Sequence, residues 1–398
     1  MHSDKDIEFL QLHWDDDPVR LLLSAAKHGG VDMVWVAQQI EGRKQARVKW
    51  PRLAEDERIW YPPRLNREQA SSERLAAYKR ELVASLDGEH RRMADLTGGF
   101  GMDAYCFSQI ADTMDYVELD AALCEVAEHN LAVLGANNVE CCRADSMEWL
   151  QGRGMYDVIF IDPARRDEKG RKVAAFEDCT PNLLDNLEMI MQHCRRLVVK
   201  ASPMISIPAA LEQLGLVKRV DVVALKGECK EVILVLESDA TGADCVVNAV
   251  NLEADGRSEF SFTLSQEAAA EAEVRYLQGM PTRYLYEPNA AVMKSGGYCK
   301  VAVEYGLQKL ARNTHMYASD SMIDGFVGRV FEVIEEVRPK EVAKKVAGKR
   351  AHVVTRNYPM AAAELQKKLK LQEGGELFVI GTTVGSTPKV LLCRRVNG

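Results

Sequence analysis

The sequence has no apolar run long enough to cross a bilayer, so no membrane partner is expected. Its start, Met1-His2-Ser3-Asp4-Lys5-Asp6, is polar and acidic and lacks the basic-then-apolar order of a secretory signal, so a cytoplasmic location is expected. Ten cysteines and eight histidines are present, but neither set has metal-ligand spacing. Cys141 and Cys142 are adjacent and the others are scattered. A zinc site and a disulfide framework are therefore both unexpected, and reduced thiols are the reading. Nor is there an excess of positive charge: 51 Lys+Arg stand against 59 Asp+Glu, a net charge of −8, which gives no global signature of nucleic-acid binding. Internal repeats and low-complexity tracts are missing too.

What basic charge there is gathers late. From Phe331 onward about 13 Lys/Arg face about 7 Asp/Glu. The stretch Arg338, Lys340, Lys344, Lys345, Lys349, Arg350 is a candidate phosphate-contacting surface. At 398 residues the chain is long enough for several cores. Residues 1–88 read as a helical region: Asp17-Pro18 is a cap followed by a first-turn proline, Val31–Ala46 has helical apolar spacing, and Asn66-Arg67-Glu68-Gln69 resembles a capping box opening a helix to about Ala84. Residues 89–240 alternate strand-like and helix-like runs. The strands are expected at Arg92–Leu96, Met114–Leu119, Val139–Arg143, Tyr156–Ile161 and Leu197–Lys200, with Thr180-Pro181 opening the last intervening helix. Two further strands, Val217–Leu225 and Lys230–Glu237, form a hairpin. The expected fold class is α/β: a doubly wound, Rossmann-like domain whose seven-stranded sheet ends in an antiparallel hairpin. Residues 241–330 and 331–398 read as two small α+β units, the last one basic.

The chemistry concentrates at Asp95-Leu96-Thr97-Gly98-Gly99-Phe100-Gly101-Met102-Asp103, between a strand and a helix. Glycines there let the backbone turn sharply and approach a ligand. About 20 residues on, Glu118-Leu119-Asp120 ends the next strand, where an acid can hold ribose hydroxyls. Asp145-Ser146 and Asp162-Pro163-Ala164-Arg165 follow the third and fourth strands. Gly99–Ala104 formally fits G-x-G-x-x-G/A, so a nicotinamide dinucleotide competes with S-adenosylmethionine (SAM) as the cofactor. Charge favours SAM. Asp95 and Asp103 would repel a pyrophosphate, whereas SAM carries an ammonium and a sulfonium, and Asp103 in a first helical turn is favoured by the helix dipole.

These residues resemble a class I SAM-dependent methyltransferase. In that resemblance Asp95, Thr97, Gly98, Gly99, Phe100, Gly101 and Asp103 form motif I, Glu118 is the ribose acid, Leu119 beside it is a further cofactor-binding residue, and Asp145 with Ser146 is the adenine site. The whole chain resembles a bacterial methyltransferase family with a ferredoxin-like middle domain and a THUMP-like C-terminal domain. That wider match is carried by Glu68-Gln69-Ala70-Ser71-Ser72-Glu73, Tyr284-Leu285-Tyr286-Glu287-Pro288-Asn289 and Thr355-Arg356-Asn357-Tyr358-Pro359. Asp162-Pro163-Ala164-Arg165 resembles the [DN]-P-P-[YFWR] motif of amino-methyltransferases, with Ala164 in place of the second proline and Arg165 in place of the aromatic. The resemblance implies Asp162, Pro163 and Arg165 as catalytic residues acting on an exocyclic amine. THUMP domains bind RNA, which makes RNA the expected partner, with Arg165, Arg166, Lys200, Lys344, Lys345, Lys349 and Arg350 as candidate contacts. The competing functions are an RNA-binding protein that holds SAM without turnover and, should the glycine turn hold a dinucleotide, an NAD-dependent dehydrogenase. Cys179 is the nearest candidate nucleophile in sequence, but nothing around it argues for a thiolate.

Overall fold

The computed structural model describes residues 2–396 apart from 166–175, 177–178, 239–244, 255 and 282. The chain divides into two compact units, one formed by Met1–Ala201 with Leu234–Asp239, the other by Ser202–Ile233 with Ala240–Gly398.

The first unit opens with helices α1 (Asp4–Leu12), α2 (Pro18–Leu23), α3 (Met33–Lys49), α4 (Pro51–Glu55), α5 (Arg64–Gln69) and α6 (Glu73–Ala84). Asp17 caps α2 from before Pro18, as its sequence predicts. The single helix expected from Asn66 to Ala84 is instead two. Ala70 is extended, and Ser72 starts α6 by accepting from the Leu75 amide, so the chain restarts at its better cap. The α/β part follows: β1 (Arg92–Asp95), α7 (Met102–Ser108), β2 (Thr113–Glu118), α8 (Ala121–Val133), β3 (Val139–Arg143), α9 (Ser146–Gln151), β4 (Tyr156–Ile161), the two-residue strands β5 (Ala164–Arg165) and β6 (Cys179–Thr180), α10 (Leu183–Gln192) and β7 (Cys194–Ala201). Helix α10 is capped by Asn182, two residues beyond the expected Thr180, which is committed to pairing with Ala164.

Strands β7-β4-β1-β2-β3 are all parallel. The chain runs outward from β1 to β3 and returns to β4 on the other side, so the topological switch point lies between β1 and β4. Open α/β sheets bind ligands at the carboxyl ends flanking such a point. The sheet continues through β9 (Glu228–Glu237), β8 (Val217–Leu225), β10 (Val246–Glu253) and β11 (Gly256–Thr263), nine strands in all. The turn Lys226-Gly227 has positive φ at both residues (55° and 78°), the type I′ geometry that suits a two-residue hairpin. The opening of the stretch expected as a separate small α+β unit, residues 246–263, is therefore β10 and β11 of this sheet. Their register is set by a partly buried polar ladder. Asn248 donates to Asp221 (2.6 Å) and accepts from Ser261 (2.6 Å), its two partners in the pairing.

The second unit also holds α11 (Ile207–Leu214), α12 (Leu264–Glu273), β12 (Arg275–Tyr276), β13 (Tyr284–Pro288), α13 (Ala290–Ser295), α14 (Tyr298–Glu304), β14 (Gln308–Ala311), β15 (Thr314–Ser319), β16 (Gly328–Glu336), α15 (Pro339–Lys345), β17 (His352–Arg356), α16 (Ala362–Leu369), β18 (Leu377–Val384) and β19 (Thr387–Val396). An eight-stranded sheet runs β12-β14-β15-β13-β16-β19-β18-β17. It curls, because its far strands meet. The Gly385 amide donates to Leu310 O (2.8 Å), and Thr314 Oγ1 donates to Thr383 O (3.0 Å). Leu285, Leu310, Met316, Phe331, Ile380 and Leu391 fill one core of this sheet. No described helix is long and apolar enough to cross a membrane.

The helices of the first unit share a core with the α/β part: Trp50, Tyr61 and Ala76 pack with Phe100, Met102 and Cys106. A buried charge fixes that junction. Lys79 is fully buried on the inward stripe of α6, beside Leu75, Ala76, Leu82 and Val83. Its ammonium lies 3.2 Å from Asp103 and 3.1 Å from the Ser71 hydroxyl, which itself donates to Asp103 (2.7 Å). Lys79→Met should leave the Asp103 carboxylate buried without its cation, at a cost of about 3 kcal/mol. Adding Asp103→Asn should recover part of that loss. Urea denaturation of the two variants and the double variant measures this; equal stability of Lys79→Met and the parent would remove the pair from the junction.

Candidate functional site

Five of the sequence-predicted residues meet at the carboxyl ends of β1, β2 and β4. Asp95 closes β1 and is 1% exposed. It accepts hydrogen bonds from the Thr97 amide (2.9 Å) and hydroxyl (3.3 Å). The same Thr97 oxygen accepts from the Asp162 amide (2.7 Å), so one hydroxyl ties β1 to β4 across the switch point. Glu118, ending β2, accepts from the Gly99 amide (2.8 Å) through one oxygen and from the Asp120 amide (2.9 Å) through the other.

The glycines serve different needs. A Cβ at Gly98 would lie 2.2 Å from the Tyr116 ring, so the turn can follow this course only without a side chain there. Gly99 and Gly101 have φ of +55° and +83°, a region that favours glycine. A Cβ at Gly99 would meet nothing nearer than Thr97 O at 3.7 Å, so this turn faces open space. Tyr116 completes the cradle by donating from its hydroxyl to Gly99 O (2.7 Å).

Other expected residues stand elsewhere. The Phe100 side chain is buried against Trp50, ring centroids 4.8 Å apart, so its role in a ligand site is limited to its backbone. Asp103 faces Lys79 and Ser71. Leu119 is 65% exposed, unusual for a leucine at a strand end. Asp145 caps α9 by accepting from Met147 (2.9 Å) and Glu148 (3.1 Å), and Ser146 is the first residue of that helix. Asp162 follows β4, with Pro163 buried behind it. Lys200, near the end of β7, turns its ammonium onto Asp162 Oδ2. It is thus a partner of that carboxylate before it is a contact for any phosphate. The Arg165 backbone pairs with Cys179, while its side chain and Arg166 lie outside the described residues.

In the second unit, Lys344 and Lys349 are exposed. Lys345 is paired with Glu335, and Arg350 Nη2 donates to Glu373 O (3.3 Å). Those two cations are partly satisfied within the chain, so the basic stretch offers less free charge than its sequence suggests.

Several neighbours of the site were not foreseen. Lys49, ending α3, donates to Arg67 O (2.6 Å) and Glu68 O (3.1 Å). Burial, and then the charge of Lys200, pushes its ammonium down to about 8. Lys79 had a readable signal, since a lysine on a helix's apolar stripe requires a buried partner. Lys49 and Tyr116 had none.

Electrostatics revises one step of the sequence reading. Burial raises the Asp95 carboxyl to about 8, and the charges of Asp103 and Asp162 add to that shift. Asp95 is then mainly protonated at neutral pH, and Asp103 is neutralised by Lys79, so charge repulsion of a pyrophosphate is smaller than the sequence implies. A different obstacle to a dinucleotide is present. The Gly99 amide, of the kind that would receive a phosphate, is already held by Glu118. Among the described residues no group of side chains is arranged to hold a metal ion.

The Asp95 shift has a consequence for stability. Unfolded, the carboxyl titrates near 3.8; folded, near 8. Between these values the folded chain holds the extra proton, so this group makes stability fall as pH rises from about 4 to about 8 and no further above it. Asp95→Asn should remove that slope, and its melting temperature relative to the parent should climb steadily from pH 5 to pH 8. A difference constant across that range would show that Asp95 titrates normally.

A ferredoxin-like domain family matches residues 284–326 and a THUMP domain-like family matches residues 328–395. None of the curated proteins compared matches the chain. A crystal structure from Porphyromonas gingivalis W83, provisionally described as a methyltransferase, is 30% identical, covers 100% of both chains and has a TM-score of 0.87. An rRNA methylase from Streptococcus thermophilus (13% identity, 40% of this chain and 94% of that one, TM-score 0.31) overlaps more weakly. So does TrmK from M. capricolum with S-adenosyl-homocysteine (10%, 41% and 69%, TM-score 0.33), and no conclusion rests on either. With a full-length relative at that identity and both C-terminal domains matched, the chain belongs to the bacterial class I methyltransferase family that carries ferredoxin-like and THUMP-like C-terminal domains.

Proposed function

We propose that the first unit binds SAM at the β1–β2–β4 ends and transfers its methyl group to an exocyclic base nitrogen of structured RNA. The observation that carries this reading is the gathering of Asp95, Glu118 and Asp162 around a glycine turn open to solvent at the switch point. The residues present fit that cofactor. Glu118 offers two carboxylate oxygens for a pair of ribose hydroxyls, Leu119 an exposed apolar face for adenine, and the Gly99 turn room for the methionyl part. When bound, SAM supplies an electrophilic methyl carbon on a sulfonium.

The chain's own part is positioning. An exocyclic amine is a weak nucleophile, so fixing its lone pair matters more than removing a proton. Asp162 is suited to accept hydrogen bonds from that amine. Lys200 holds one of its oxygens and so fixes the carboxylate's orientation, leaving Oδ1 for the acceptor. Pro163 adds a rigid backbone and a carbonyl acceptor beside it. In a second reading the protein binds RNA and SAM without turnover. It draws on the same Lys200 contact, which occupies an acceptor oxygen of Asp162.

Two substitutions test this. Glu118→Ala should weaken SAM by about 1.5–3 kcal/mol, the scale of losing charge-assisted hydrogen bonds, as read by calorimetry. Asp162→Ala should slow single-turnover methylation of RNA by far more than it changes SAM affinity, because the aligned lone pair counts only during transfer. Methylation at the parental rate in Asp162→Ala would move the acceptor site elsewhere. No transfer by the parent, with SAM and RNA both bound, would favour the second reading.

A further inference from the structure

Two sequence motifs that the methyl-transfer reading leaves unused meet in the second unit. One is Tyr284–Asn289, containing Glu287 on β13; the other is Thr355–Pro359, which starts at the end of β17. Strands β13 and β17 are four places apart in the sheet order, yet the curl of the sheet brings them together. Glu287 is 1% exposed. One of its oxygens lies 2.5 Å from Arg356 Nη2, the other 2.5 Å from Arg329 Nη2 and 2.8 Å from Arg329 Nε. Arg329 is its direct cross-strand partner on β16.

The balance of charge is uneven: one buried carboxylate faces two guanidiniums. Both arginines keep part of their surface, 38% for Arg329 and 40% for Arg356. A guanidinium has five N–H donors. Arg329 directs two of its nitrogens at Glu287, and Arg356 directs Nη2 at Glu287 and Nη1 at Thr355 O (2.8 Å). Donors remain on each fork.

The forks are also held in place before any ligand arrives. Asn357, next to Arg356, has φ of 49°; its side chain donates to Thr314 Oγ1 (2.9 Å), and its carbonyl accepts from Thr383 Oγ1. Thr382, the register partner of Arg356 on β18, is fully buried, and its hydroxyl has no hydrogen-bond partner among the described residues. An arginine fixed by its surroundings loses little freedom on binding, and a planar fork matches a phosphate's oxygens better than a lysine does.

We propose that Arg329 and Arg356, braced by Glu287, form a binding site for a phosphodiester of the RNA backbone. A pairing that served only to staple the strands would need one cation per carboxylate. The second, half-exposed guanidinium leaves a net positive charge and open donors, which a phosphodiester completes. The proposal rests on the reading above only in taking RNA as the source of the phosphate. It places the contact away from the lysine-rich stretch that composition favours.

The test uses the full chain, a labelled RNA hairpin followed by anisotropy across a range of salt, and SAM calorimetry on the same samples. Arg329→Gln and Arg356→Gln should each weaken the hairpin about tenfold. Each should also reduce the slope of log affinity against log salt by about 0.7–0.9, with SAM affinity unchanged. Parental affinity and slope in both variants would overturn the site and leave the RNA reading standing. A parent that does not bind the hairpin would overturn the site and the RNA acceptor together, and the SAM titration then reports on the methyltransferase reading by itself. Inorganic phosphate binding that is lost in the variants while hairpin binding is kept would assign the site to free phosphate and overturn the RNA source. Where circular dichroism shows that a glutamine variant fails to fold, Arg→Lys at that position keeps the charge against Glu287 and removes the fork. A loss of about threefold with the parental salt slope supports the proposal, and parental affinity overturns it.

Discussion

At the carboxyl end of the first sheet the Thr97 hydroxyl extends the bond between β1 and β4 beyond their ladder. Thr97 donates to Asp95 at the end of β1 and accepts from the amide that follows β4. The two strands flank the switch point, where the crossing of the chain opens a crevice. With that bridge in place, the glycine turn has a fixed course, Glu118 reaches the Gly99 amide, and Asp162 is delivered beside Lys200. The site is thus a product of topology stiffened by a few hydrogen bonds.

Charge is managed differently in the two units. In the first, carboxylates crowd together, and each is relieved by its own means: burial with protonation for Asp95, a buried lysine for Asp103, and Lys200 for Asp162. In the second, Glu287 is over-supplied with cations and leaves arginine donors at the surface. Each of these charges is retained beside an opposite charge or a proton, because an unpaired buried charge is far more costly than a pair.

The sequence made the α/β order legible because its signals are local. Strand-like runs, glycines at the first turn and acids at strand ends all sit within a few residues of the structure they produce. The carboxyl-end placement of Glu118, Asp145 and Asp162 followed from that order alone. What stayed hidden depends on distant partners. Phe100 reads as part of a ligand loop, but Trp50 claims its ring. Asn66 reads as a helix start, but Ser72 supplies the better cap once Ala70 is extended. Residues 246–263 read as the start of another domain because Asn248 and Asn251 interrupt the apolar run; the hydrogen bonds of Asn248 become visible only when Asp221 and Ser261 lie alongside. Charge itself misled where the fold supplies neutralisation, as with Asp103 and Lys345.

The buried Lys79 also sets an order of events during synthesis. Helices α3 to α6 leave the ribosome before α7 exists, with most of their own apolar contacts available. Their junction with the α/β part is completed when Asp103 emerges, because that carboxylate is a partner of the buried Lys79 ammonium in the folded chain. The N-terminal helices therefore complete their packing together with the first βα unit, on the same turn that frames the site.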